Sequence, residues 1–212
     1  MAAPRGRTGR PPLTEERKAE IRLEIARAAV DLFVAQGVAA TTGEQIGQAV
    51  GVSARTVWRY FPSKESCVRP LFTAGIEMTA ARLRAWRPGQ PLEQIFARDF
   101  AGDLRSVAGP DPATVGALVR LTRAEPGLRA IWLQAYDEAE PAFARALAER
   151  AGLPDDDLRS AIRAAMFNAA LRAAVEYYAW HTADTEAGRA TAEAELAATL
   201  RSALAVAVEG LS

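Results

Sequence analysis

Apolar residues recur every three to four positions along most of the chain, which is the spacing of one face of an α-helix. The first such stripe begins at Ile21 and ends at Phe33, and similar stripes follow in the second half of the chain. Few segments show the alternation of β-branched and polar residues that a half-buried strand would have. The pattern therefore predicts an all-α protein of about nine helices.

After the first stripe, the chain contains the boundary residues of two short helices joined by a tight turn. Thr42 and Gln45 have the spacing of a capping box at the start of the first helix. Gly51 is suited to the left-handed conformation that ends a helix. Ser53 is a preferred N-cap for the second helix, and Pro62 ends that helix.

The second of these short helices has one predicted buried face. Val57 and Phe61 lie one turn apart and should share that face. The remaining positions are small, polar or aromatic: Ala54, Arg55, Thr56, Trp58, Arg59 and Tyr60. Two capped helices with donors directed outward indicate a helix-turn-helix, whose second helix enters the major groove of DNA. An ordinary helical hairpin inside an all-α core is the alternative interpretation.

The segment IGQAVGVSARTVWRYFPSKE, residues 46–65, resembles the DNA-binding signature of the TetR family of bacterial transcriptional regulators. The resemblance extends over about residues 15–66. It implies that the rest of the chain is a helical domain for ligand binding and dimerisation. The segments expected on this basis are a flexible basic arm (1–13), a helix-turn-helix domain (14–62), a connecting helix (63–86) and a helical effector-binding and dimerisation domain (87–212).

The N-terminal arm and the connecting helix each contain residues that affect their expected structure. Residues 1–13 hold three arginines and no acidic residue, so they are either an arm in the minor groove of DNA or a disordered tail. In the connecting helix, Pro70 removes one backbone donor and should bend the helix near its second turn.

The predicted DNA-binding residues are Thr42, Ser53, Ala54, Arg55, Thr56, Trp58, Arg59, Tyr60 and Lys64. Arg55 is expected to read a base, because arginine can form a bidentate contact with guanine. Its neighbours on the second helix would add base or methyl contacts. Contacts with phosphates are implied by the resemblance alone, for Thr42, Trp58, Tyr60 and Lys64.

Charge and rare residues restrict the function further. The net charge is zero, but residues 1–62 hold nine Arg and Lys against six Asp and Glu, which suits a DNA-binding part joined to another module. The single cysteine, Cys67, excludes an intrachain disulfide and favours the cytoplasm. A single histidine, His181, leaves no typical zinc site or nucleophile–base pair. We therefore expect no enzyme, no cofactor and no metal, and no membrane partner because no long apolar run exists.

Large aromatic residues are concentrated in the second half of the chain, where the resemblance implies a ligand cavity. The predicted lining is Phe100, Trp132, Tyr136, Met166, Phe167 and Asn168. An apolar cavity with few polar groups suits a small lipophilic effector. Helical spacing does not separate such a lining from ordinary core. Asn168 in particular needs a hydrogen-bond partner, either a ligand or the backbone.

The last two predicted helices have long faces of alanine and leucine, and small residues permit close approach of helices. A homodimer could bury these faces as a four-helix bundle. The predicted interface residues are Leu158, Ile162, Ala169, Ala173, Leu196, Leu200 and Leu204. The alternative is that these faces pack only within the subunit.

Together these features predict a transcriptional regulator that binds DNA in a sequence-specific manner. The detailed hypothesis is a dimeric, ligand-responsive repressor that binds a near-palindromic operator and is released by a small lipophilic effector. An all-α small-molecule-binding protein without specific DNA recognition is the alternative. An enzyme with a helical pocket is a third class, disfavoured because no nucleophile–base pair is evident.

Overall fold

The computed structural model describes residues 14–87, 89–96, 112–181 and 189–209, and these ranges are entirely helices, turns and connecting segments. The eight α-helices are Glu15–Gln36 (α1), Gly43–Ala49 (α2), Ala54–Tyr60 (α3), Arg69–Ala85 (α4), Pro112–Leu121 (α5), Pro126–Ala151 (α6), Leu158–His181 (α7) and Arg189–Glu209 (α8). Two short 3-10 helices cover Glu65–Val68 and Leu92–Phe96. The all-α prediction is confirmed. Among the described helices, none has the length and apolarity needed to span a membrane.

The helix boundaries follow from capping residues that the sequence shows. Thr14 accepts a hydrogen bond from the backbone N–H of Arg17 at the start of α1. At the start of α7, Asp157 Oδ1 accepts from the backbone N–H groups of Arg159 and Ser160, at 3.0 and 3.3 Å. Gly152 ends α6 in the left-handed conformation, with φ of 64°. These contacts satisfy backbone groups that a helix end otherwise leaves unpaired.

The first three helices form one small unit around a shared core. Ile25 and Phe33 of α1, Ile46 of α2 and Val57 of α3 are almost fully buried, and Phe61 is 6% exposed. The predicted sharing of one buried face by Val57 and Phe61 is therefore confirmed. Because α2 and α3 are only seven residues each, their stability comes from packing against α1 rather than from helix propensity.

The segment that leaves this unit differs from the single helix expected from residue 63 onward. It begins as the 3-10 helix Glu65–Val68, where Ser63 Oγ accepts from the backbone N–H of Ser66 at 3.2 Å. The α-helical part, α4, starts only at Arg69. Pro70 thus lies in the first turn of α4, where a missing N–H leaves no intrahelical bond unmade. The proline accordingly lies where 3-10 geometry gives way to α-helix, and not in the second turn of a longer helix.

Helices α4 to α8 form the second body, in which α7 packs against α6 and α8 and α4 packs against α6. One prediction for this body is wrong. Leu196, Leu200 and Leu204 of α8 are only 4%, 2% and 1% exposed, because they face the core of their own subunit. They are therefore not accessible to a partner subunit and do not belong to a dimer interface.

Candidate nucleic-acid interface and C-terminal cavities

The turn between α2 and α3 is held by one tight backbone contact. Val52 N–H donates to the carbonyl of Gly47 at 2.8 Å, and Gly51 has φ of 72°. A Cβ on residue 47 would lie 2.6 Å from the carbonyl oxygen of Val52. Glycine at position 47 is therefore what allows the turn to fold back against α2. This contact fixes the angle between the two helices.

Helix α3 has its polar side chains on the surface of the protein. Ser53 is its N-cap and accepts from the backbone N–H of Thr56 at 3.2 Å. Arg55 and Arg59 are exposed, and neither forms a salt bridge within the described ranges. A shallow depression is lined by Ser53, Arg55, Thr56, Trp58 and Arg59, so the structure brings five of the predicted DNA-binding residues together.

Two further predicted residues lie beside this surface. Trp58 is 43% exposed, and part of its indole covers Gly43, the first residue of α2. Thr42 precedes Gly43 and forms both halves of the capping box with Gln45. Since Trp58 belongs to α3 and Gly43 to α2, only the fold could place the indole beside the start of α2.

Tyr60 is half-buried between two arginines. The guanidinium carbons of Arg22 and Arg59 lie 5.5 and 5.0 Å from the centre of its ring. Cation–π contacts of this kind hold positive charge beside the tyrosine ring. The edge of the three-helix unit next to α3 is therefore electropositive.

Lys64 has a different environment from the one that the resemblance implied. Its ammonium donates to the carbonyl oxygens of Val38, Ala39 and Thr41, at 2.6, 3.3 and 3.2 Å. An ammonium group has three donors, so all of them are used within the chain. In this structure Lys64 ties the loop after α1 to the start of the connecting segment. Its phosphate contact stays a prediction, and these three bonds give the lysine a structural role as well.

Two apolar cavities in the described part of the second body differ greatly in size. The larger, of about 480 Å³, lies where α4, α6, α7 and α8 meet at the end farthest from the three-helix unit. Its lining is Trp86, Leu147, Arg150, Ala151, Arg163, Met166, Phe167, Leu204 and Ala207. The smaller, of about 60 Å³, includes Phe72, Trp132, Tyr136 and Leu171 in its wall.

The predicted effector residues are divided between these cavities. Met166 and Phe167 line the larger one, and Trp132 and Tyr136 line the smaller one. Asn168 is not among the described lining residues of either cavity. Its amide nitrogen donates to the carbonyl of Tyr136 at 3.0 Å and to Glu140 Oε2 at 3.1 Å. Its amide nitrogen is therefore paired within the protein, whereas its buried Oδ1 has no hydrogen-bond partner among the described residues. Phe100 and the arm 1–13 lie outside the described residues.

A buried charged cluster was missed by sequence reasoning. Glu176 is 6% exposed, and its Oε1 accepts from Trp132 Nε1 at 2.8 Å and from Arg172 at 3.3 Å. Arg129 forms a third contact with the same oxygen, and this contact is a second ion pair beside that of Arg172. Burial, and next the nearby Glu176 carboxylate, raise the pKa of Tyr136. The pair Arg172 and Glu176, four residues apart on a largely apolar helix, was the only sequence feature that pointed to this cluster.

This cluster fixes an aromatic contact with the connecting helix. The indole of Trp132 meets the ring of Phe72 on α4 edge to face, with 4.7 Å between the ring centres. The same indole meets Tyr136 at 4.6 Å. Trp132 of α6 therefore contacts both the Glu176 carboxylate of α7 and the Phe72 ring of α4.

Reactive side chains are few in the part of the chain that the structure describes. It contains no group of three His, Cys, Asp or Glu residues placed to hold a metal ion. Cys67 is fully buried, and desolvation raises the pKa of its thiol to about 12, which keeps it protonated. Fold and site together define a DNA-binding protein with a helix-turn-helix unit joined through one helix to a separate helical body.

Comparison with known proteins specifies this class. A family model described as "Bacterial regulatory proteins, tetR family" matches residues 25–71, and one described as "MftR C-terminal domain" matches residues 104–212. The HTH-type transcriptional regulator TcmR of Streptomyces glaucescens is 36% identical over an alignment of 188 residues, which covers 84% of this chain and 81% of TcmR. The chain belongs to the TetR family of bacterial transcriptional regulators.

Solved structures share the whole architecture. The fatty acid degradation regulator FadR of Bacillus halodurans superposes with a TM-score of 0.57 at 16% identity, over 94% of this chain and 98% of that one. Thermus thermophilus FadR, in complex with lauroyl-CoA, gives 0.52 at 21% identity, over 90% and 95%. At these identities the likeness establishes the fold alone.

Proposed function

We propose that this regulator is a ligand-responsive repressor that binds a near-palindromic operator as a homodimer and is released by a small lipophilic effector. The DNA-binding domain is residues 14–62, the connecting helix belongs to 63–86, and effector binding and dimerisation belong to 87–212. The protein would bind its operator in the cytoplasm.

The observation that supports specific DNA binding most directly is the exposure of Arg55 at the N-terminal end of α3. The N-terminal residues of a recognition helix are the ones that contact base edges. Arg55 has no salt-bridge partner in the described ranges, so its guanidinium is available for a guanine. Trp58, Thr42 and Tyr60 lie around α3 where phosphates of the same groove would be expected.

The dimer is supported by an exposed apolar face on α7. Leu158, Ile162 and Tyr177 are 71%, 50% and 57% exposed, although large apolar side chains usually avoid water. The exposed residues of this face on α7 are Leu158, Ile162, Ala169, Ala173 and Tyr177, and α8 adds the exposed residues Ala194, Ala198, Ser202 and Val206. Clustered exposure of large apolar side chains is typical of an association surface. A second copy would bury it as a four-helix bundle.

The lipophilic effector is supported by the 480 Å³ cavity, whose volume is within the range of small-molecule sites. Trp86 in its wall directly follows the last residue of α4, the helix whose other end adjoins the three-helix unit. A ligand there would contact the end of the connecting helix. Release from DNA would follow only from a difference in ligand affinity between the DNA-bound and free conformations.

The test is selection of bound duplexes from a random pool, together with gel shifts on the DNA that flanks the protein's own coding region. The repressor hypothesis expects an enriched, near-palindromic site whose half-sites lie about 10 base pairs, or a multiple, apart. Native mass measurement of the complex should give two subunits per site. If no sequence is enriched at moderate ionic strength, the alternative of a small-molecule-binding protein without DNA recognition is the better description.

A further inference from the structure

The charged side chains among the described residues that line the 480 Å³ cavity all have one sign. Among its described lining residues, Arg150 and Arg163 are the only charged side chains, and the others are apolar. None of these described lining residues is a carboxylate. Cationic groups beside an apolar space favour a ligand that combines an apolar body with a negative charge.

The two arginines differ in how they are held. The guanidinium of Arg150 lies 3.3 Å from the ring centre of Trp86 and donates to the carbonyl of Trp86 at 3.0 Å. Trp86 in turn donates from Nε1 to the carbonyl of Gln90 at 2.9 Å. These contacts fix one wall of the cavity before any ligand arrives, which lowers the entropic cost of binding.

Arg163 is the arginine that remains free to bind. It is exposed on α7 at the edge of the cavity and forms no salt bridge with any described residue. Its planar guanidinium matches the two oxygens of a carboxylate. Arg159, one turn earlier on the same helix, is by contrast paired with Asp157.

We infer that this cavity binds an amphipathic organic acid, with the hydrocarbon part between Trp86, Phe167 and Leu204 and the acid group on Arg163.

The smaller cavity is not the site for such a molecule. Its volume of about 60 Å³ is equivalent to roughly two water molecules. Binding of the acid does not depend on the proposed repressor function, whereas its effect on DNA does.

The experiment measures binding of three ten-carbon probes to the full chain by calorimetry: decanoate, 1-decanol and decyltrimethylammonium. Decanoate should bind about tenfold more tightly than decanol, because one charge-assisted contact is added, and the cation should bind most weakly. Equal affinity of decanoate and decanol, or preference for the cation, would overturn the inference.

Substitutions test whether Arg163 is the side chain that contacts the acid group. Arg163→Gln should reduce decanoate affinity to the level of decanol and leave decanol binding unchanged. Arg145→Gln is the matched control, since Arg145 is also exposed but lies on α6 outside the cavity. Ala207→Trp, which fills the cavity, should weaken both decanoate and decanol. If Arg145→Gln lowers decanoate affinity as much as Arg163→Gln, general surface charge accounts for the binding and the site assignment is wrong.

A parallel DNA-binding titration separates this inference from the proposed function. If decanoate binds through Arg163 but leaves affinity for the selected operator unchanged, the acid site is correct and effector-driven release through it is not. If no operator exists but the probe series behaves as expected, the acid site is still correct. Absence of decanoate binding with intact operator binding contradicts only the acid site.

Discussion

The indole of Trp58 on α3 covers the backbone of Gly43 on α2, so closely that a methyl group on residue 43 would overlap the ring. Glycine at this position therefore determines where the tryptophan lies. The contact joins the N-terminus of α2 to the surface that we propose faces DNA.

This contact predicts the effect of Gly43→Ala. The indole is partly exposed and can swing away, so we expect little loss of stability and a loss of about 1 kcal/mol in operator binding, the value of one hydrogen bond. In a Trp58→Ala background the same change should cost nothing further. Fluorescence anisotropy of the four proteins in a double-mutant cycle measures the coupling. Equal losses in both backgrounds would show that Gly43 does not act through Trp58.

At Gly47 the same substitution should have a different result. The added methyl group would lie 2.6 Å from a backbone oxygen, that of Val52, which has no rotamer to escape into. We expect Gly47→Ala to lower the free energy of unfolding by about 1–3 kcal/mol. The control is Gly116→Ala in α5, where the nearest atom is Arg120 Nη1 at 3.4 Å. There alanine should stabilise the helix by up to about 1 kcal/mol. Urea denaturation compares the two variants.

Arg55→Ala should weaken binding to the selected operator by about 1–3 kcal/mol and relax specificity at a single base position. Arg145→Ala removes an equally exposed arginine far from α3 and should have little effect. Gel shifts on operator variants with each base pair changed in turn identify the position. Unchanged binding by the Arg55 variant would mean that another residue of α3 reads the base.

Lys64→Met distinguishes the two roles considered for this lysine. Because its ammonium bonds three carbonyls, its loss should lower the free energy of unfolding by about 1.5–3 kcal/mol. The slope of binding against salt concentration should be unchanged. A phosphate contact would instead reduce that slope by about one with unchanged stability. Urea denaturation and a salt titration of operator binding decide between these outcomes.

Ile162→Glu should convert the proposed dimer to monomers with little loss of subunit stability, because Ile162 is half exposed in the single chain. Leu133→Glu is the matched control, since Leu133 is 41% exposed on α6, outside the apolar face. By contrast, Leu200→Ala should destabilise each subunit by about 2–5 kcal/mol. Sedimentation analysis and urea denaturation measure the two effects. A dimer that survives Ile162→Glu would place the interface elsewhere.

Much of the three-helix unit could be predicted from sequence because its determinants are local. The capping box of Thr42 and Gln45, the left-handed Gly51 and the N-cap Ser53 act over three or four residues. Such short-range contacts depend only on spacing along the chain. The same locality explains why the exposed position of Arg55 followed from the helical pattern once Val57 was assigned to the core.

The C-terminal body was less predictable because helical periodicity gives the faces of a helix but not its neighbours. Leu200 and Ile162 both belong to apolar stripes, yet one is buried within the subunit and the other is half exposed. The predicted cavity residues were divided between two spaces for the same reason. The carbonyl partners of Lys64 lie more than twenty residues away in the sequence, so no local pattern could reveal them.

The sequence by itself therefore determined the all-α class, the helix-turn-helix with its caps, and the identity of the side chains on α3. Only the tertiary structure decided that the Trp58 indole packs on Gly43 and that Lys64 bonds the loop after α1. It also decided which apolar residues of α7 and α8 remain exposed. The physical reason is range. Caps and turns satisfy backbone groups within a few residues, whereas cavities, buried ion pairs and exposed faces depend on how distant helices pack together.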